Sequence, residues 1–124
     1  MTTIHSASLR AGERQVAATF AFDRPPAYKE TLLWSLFARD DQGRQRQFGY
    51  KQIDDMIVQF VFDHNAARQT EARVSSTVLD DVLTVRFNLV DATGLNLDAI
   101  VEAHAVLTID GQDVSRFDLD LPDR

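Results

Sequence analysis

Alternation of apolar and polar residues with a period of two runs through most of this chain. Val16, Ala18, Phe20 and Phe22 are separated by Ala17, Thr19 and Ala21, and Leu83, Val85, Phe87 and Leu89 by Thr84, Arg86 and Asn88. Val101, Ala103, Ala105, Leu107 and Ile109 point one way while Glu102, His104 and Thr108 point the other. Phe117, Leu119 and Leu121 alternate in the same way with Arg116, Asp118 and Asp120. Successive side chains leave opposite faces of a pleated strand, so this spacing predicts antiparallel strands that each bury one face.

Turn chemistry falls between these segments. Asp40-Asp41-Gln42-Gly43 and Asp110-Gly111 read as hairpin turns, and Asp80-Asp81 as another tight turn. Asp23-Arg24-Pro25-Pro26 ends a strand, since neither proline can donate to a ladder, and Asp91-Ala92-Thr93-Gly94 opens a second long connection. About nine strands follow: 4–9, 14–23, 31–39, 44–50, 56–63, 72–79, 82–90, 99–109 and 112–121. A short helix is compatible with the sequence only at 65–72 and 96–102.

The expected architecture is all-β, an antiparallel β-sandwich of one domain over residues 1–124. Small closed antiparallel β-barrels are the alternative, because many short strands at this spacing suit both. Trp34 on the third strand resembles the immunoglobulin pattern, in which a tryptophan of that strand packs in the core. No cysteine pair or tyrosine corner accompanies it, so the resemblance is one of architecture. Fatty-acid-binding barrels place two helices after the first strand, where Arg10–Glu13 leaves no room. Lipocalins carry Gly-x-Trp, whereas Leu32-Leu33 precede Trp34.

Two strands depart from the one-faced pattern. Leu32, Trp34 and Leu36 share one side of their strand while Leu33 and Phe37 lie on the other, and Met56, Val58, Phe60 and Phe62 face away from Ile57 and Val61. Strands buried on both faces read as continuous apolar runs. A partner subunit, a crossing strand or a ligand is therefore expected over the second face.

Composition narrows the function classes. The 124 residues include no cysteine, which removes disulfide scaffolds, thiol nucleophiles and thiolate metal sites. A net charge of −6 argues against nucleic-acid or anionic-membrane partners. The N-terminal Met-Thr-Thr-Ile-His-Ser has neither a basic start nor an apolar run, so no signal peptide and a cytoplasmic location are expected. Arginine outnumbers lysine 11 to 2, a bias in keeping with a GC-rich bacterial genome.

Catalytic motifs are sparse. Neither a G-x-S-x-G elbow nor a phosphate-binding glycine loop occurs, which leaves only a pocket enzyme in play. Glu102 and His104 share a strand face but would need a third ligand to hold a metal. The doublets Asp40-Asp41, Asp54-Asp55 and Asp80-Asp81 sit where turns are needed and lack the D-x-D spacing of a calcium loop. Neither a metal nor a cofactor is expected.

Two functions follow. The first is a non-enzymatic, immunoglobulin-like interaction module that forms a homodimer by burying Leu33, Phe37, Ile57 and Val61. The alternative is a pocket that takes an apolar or aromatic small molecule, as a binder or a cyclase- or isomerase-type enzyme. Its lining would include Tyr28, Trp34, Tyr50, Lys51 and His104, because ligand sites combine aromatic walls with a few polar groups.

Overall fold

A computed structural model describes residues 2–24, 31–54, 56–71, 75–88 and 94–119. Among these residues ten strands follow one another: β1 (Ile4–Ala11), β2 (Gln15–Phe22), β3 (Leu32–Asp40), β4 (Gln45–Ile53), β5 (Met56–Asp63), β6 (Arg68–Glu71), β7 (Ser75–Leu79), β8 (Val82–Asn88), β9 (Ile100–Ile109) and β10 (Gln112–Asp118). A 3-10 turn, Leu97–Ala99, precedes β9, with the Asn96 side chain accepting a hydrogen bond from the Asp98 N–H.

Every pairing among the described strands is antiparallel, and two separate sheets result. One has the order β1-β2-β8-β7 and the other β10-β9-β3-β4-β5-β6. Neither sheet closes on itself, so the molecule is a sandwich and the barrel alternative is set aside. Taken without β6, the two orders are those of the variable-type immunoglobulin sandwich, with β3 in the place of the strand that carries the core tryptophan.

The hairpin turns lie where aspartate and glycine placed them. Asp110 and Gly111 have φ of 51° and 84°, the pair of positive values a two-residue turn needs to match strand twist. Asp110 also ties this turn to the start of β3: its carboxylate accepts from the Thr31 N–H at 2.9 Å, and its own N–H donates to the Thr31 carbonyl at 2.9 Å.

The tenth strand corrects the expected count. Of the segment 65–72, the described residues 65–71 hold a turn followed by β6, in place of a helix, and all four β6 residues are exposed. With no apolar face, β6 carries no periodic signal; it forms because β5 offers an open edge.

Between the sheets lies a filled core. Trp34 of β3 is 3% exposed and packs on Phe20 and Phe22 of β2, at ring-centroid distances of 5.5 and 5.1 Å. Phe48 of β4 meets Phe87 of β8 at 5.3 Å. Beyond these, Gln59 of β5 donates from Nε2 to the Arg86 carbonyl of β8 at 3.1 Å, one polar tie from sheet to sheet. At the opposite edge the Ile4 N–H of β1 donates to Ser115 Oγ of β10 at 2.9 Å.

Asp40 closes one end of this core. Its carboxylate is fully buried yet accepts four hydrogen bonds. Oδ1 takes the N–H groups of Gln42 and Arg44 at 3.0 and 2.9 Å. Oδ2 takes Arg44 Nε at 2.8 Å and the Asn96 N–H at 2.9 Å. Burial alone pushes this carboxyl up, but the donors of Asn96, Arg44 and Gln42 outweigh it and hold the pKa at about 2.

Candidate functional site

The outer face of the six-stranded sheet is assembled by register, because directly paired residues share a face. One row across it reads Thr108, Leu33, Lys51 and Val58 on β9, β3, β4 and β5. The next reads Val106, Ser35, Gly49 and Phe60, and a third His104, Phe37, Gln47 and Phe62. Glu102, Arg39 and Gln45 complete the end nearest the β3–β4 turn.

Apolar side chains dominate the middle of this grid. Leu33, Phe37, Val58 and Phe62 are half-buried, and Phe60 and Val106 are buried. Phe37 is the centre of an aromatic group: His104 stacks on it at 4.9 Å and 20°, and His64 lies 5.8 Å away. His64 also meets Phe62 edge-on at 4.9 Å. Gln47 Nε2 donates to Ser35 Oγ at 2.8 Å, so these two neutral side chains are paired with each other.

Two ion pairs sit at the β9 side of the patch, and Lys51 of β4 and Glu71 of β6, opposite Phe60, bring further charges to the same face. Arg39 Nη2 and Glu102 Oε2 are 2.9 Å apart, and Arg116 Nη2 and Asp118 Oδ1 3.1 Å apart. The Arg39 hydrogen bond and charge hold the Glu102 carboxyl below its usual range. A depression of about 120 Å³ opens to solvent here, lined by Phe37, Ala38, Arg39, Gln45, Glu102 and His104.

His104 is the chemically distinctive member. Its Nδ1 is buried and has no hydrogen-bond partner. Burial lowers its pKa first and the nearby Arg116 charge second, against the pull of Asp118 and Glu102, so the neutral imidazole is favoured. A neutral ring stacked on a phenyl group suits a contact surface. The hydroxyl at the centre of the same face, Ser35 Oγ, is taken up by Gln47.

The structure divides the residues singled out in the sequence. Trp34 and Tyr50 are paired across β3 and β4 and point into the core, at 3% and 7% exposed, whereas Lys51 and His104 lie on the outer face two rows apart. These four therefore do not line one pocket; Tyr28 lies outside the described residues. Leu33 and Phe37 do share the outer face. Ile57 and Val61 point inward, because Val61 is opposite the core residue Phe48, and Val61 is only 2% exposed. Val58, Phe60 and Phe62 take their place on the outer side. The alternation of Met56, Val58, Phe60 and Phe62 signalled this set, but a strand with two apolar faces does not say which is inside.

Among the described residues, no group of three His, Asp or Glu side chains could hold a metal ion. No helix among them is long and apolar enough to cross a membrane. No protein-family model matches the chain, and no curated protein or solved structure is significantly similar to it.

Proposed function

We propose that this chain is a non-catalytic interaction module that pairs with a second copy of itself through the outer face of the six-stranded sheet. The observation that carries this reading is the apolar patch of Leu33, Phe37, Val58 and Phe62, only half-buried on the side of the sheet away from a core already filled. Six strands at ~4.8 Å spacing, with roughly seven residues each at ~3.4 Å, give a face on the order of 700 Å², near the ~800 Å² per partner of a standard interface. Electrostatics favours the same face. A chain of net charge −6 repels its copy over most of its surface, but on this face Arg39–Glu102 and Arg116–Asp118 cancel in pairs, and Lys51 and Glu71 carry opposite signs. Two-fold association is also the commonest way for one chain to cover a single patch.

A small-molecule pocket has less support, because Trp34 and Tyr50 are buried in the core and the depression of about 120 Å³ beside His104 is open to solvent. The cytoplasmic setting expected from the sequence belongs to this proposal. Sedimentation velocity from low to high micromolar concentration tests it. A dimer for the native chain and a folded monomer for Phe62→Asp are expected. A native chain that stays monomeric at high micromolar concentration overturns the reading.

A further inference from the structure

We propose, resting on that reading, that self-association is released by mild acid because His104 must be neutral to be covered by the second copy. His104 lies in the same row as Phe37 and Phe62, where the apolar patch meets the Arg39–Glu102 and Arg116–Asp118 pairs. One side of its ring is stacked on Phe37, and its Nδ1 is already shut away from water without an acceptor. A protonated ring would put an N–H at that nitrogen with nothing to receive it, and pairing would strip water from the rest of the ring.

The charged and titratable groups facing His104 do not remove this cost. Glu102, two residues along β9, is held by Arg39 of β3, and Asp118, opposite on β10, is held by Arg116. Arg116 itself opposes a second positive charge. His64 lies against the far side of the group, on Phe37 and Phe62, and brings a further positive charge if it is protonated. Burial already favours the neutral imidazole in the single chain, and covering the face extends the same effect. The paired form then binds fewer protons than two separate chains, so association weakens as pH falls below the ordinary histidine range of about 6.5.

The direction is diagnostic, because general electrostatics predicts the reverse. With a sequence pI near 4.9, acidification from neutral pH removes net negative charge and lowers repulsion between copies. The dissociation constant is measured by sedimentation at about pH 7.5 and about pH 5.5, with circular dichroism at both to show that the fold persists. Two histidines per pair, each excluding one proton, are expected to weaken association roughly tenfold or more over that interval. His104→Phe keeps a ring on Phe37 and removes the titration; it should pair at both pH values, equally or more tightly at the lower. His5→Asn, on the exposed edge of β1 in the other sheet, should retain the native response. A native dimer whose affinity is constant or rises on acidification overturns the proposal and leaves self-association standing. So does a response abolished by His64→Asn but not by His104→Phe. A native chain monomeric at both pH values instead removes the reading on which the proposal rests.

Discussion

The ring of Phe60 on β5 occupies the space that a side chain at Gly49 on β4 would need. The two residues are direct cross-strand partners on the outer face, and a Cβ at position 49 would clash with the Cζ and Cε carbons of the Phe60 ring. Glycine is required here by close approach; the aromatic ring folds across the neighbouring strand and becomes buried on a face that is otherwise half-open. Gly49→Ala should displace the ring and cost about 1–3 kcal/mol in urea unfolding. In a Phe60→Leu background the same substitution should cost clearly less, because the clash is with the ring. Equal costs in the two backgrounds would show that the ring is not the constraint.

Asp40 gives a prediction about charge rather than volume. Both carboxylate oxygens accept two N–H groups, so Asp40→Asn turns one oxygen into an NH2 that faces two donors. The substitution should lower the thermal midpoint far more than Arg39→Ala, which removes an exposed ion pair worth about 1 kcal/mol or less. Because the folded-state pKa is held at about 2 and the ordinary value is 3.8, the contribution of Asp40 is complete above about pH 4. It is lost as pH falls toward 2. Acid titration of native and Asp40→Asn chains should therefore converge in stability at the low end; parallel curves would count against this account.

Gln59 is the buried amide that joins the two sheets through the Arg86 carbonyl. Replacing it with Leu removes the donor while keeping most of the bulk, and leaves that carbonyl without its partner. A loss of about 1–3 kcal/mol is expected from denaturant curves, with the unfolding slope unchanged. A neutral result would mean that water replaces the amide.

Trp34 reports on the core directly, since it is the only tryptophan in the chain. Packed on Phe20 and Phe22 with 3% exposure, it should fluoresce at the blue end of the tryptophan range. A panel of apolar and aromatic ligands should leave the emission unmoved. A saturable shift would reopen the pocket reading.

Much of the sandwich was legible because period-two alternation is a local property. β2, β8 and β9 announce themselves within 8, 7 and 10 residues, and Asp110-Gly111 needs only its own two dihedral preferences to turn. β6 was invisible for the complementary reason: Arg68, Gln69, Thr70 and Glu71 bury nothing, and only the open edge of β5 makes them a strand. Asp40 was read as a turn former, and its backbone does enter a turn. That its carboxylate would be buried depends on the Asn96 N–H, 56 residues away in sequence.

The candidate face shows the same boundary most clearly. Residue order alone makes β3 and β5 apolar on both sides, and hence leaves a face for something to cover. Which side of β5 that is depends on the pairing of the strands. Pairing puts Val61 opposite Phe48 and so into the core, which turns Val58, Phe60 and Phe62 outward toward Phe37 and His104. A strand with two apolar faces is symmetric with respect to its own residues. Register with its neighbours breaks that symmetry, because only one side can meet the other sheet.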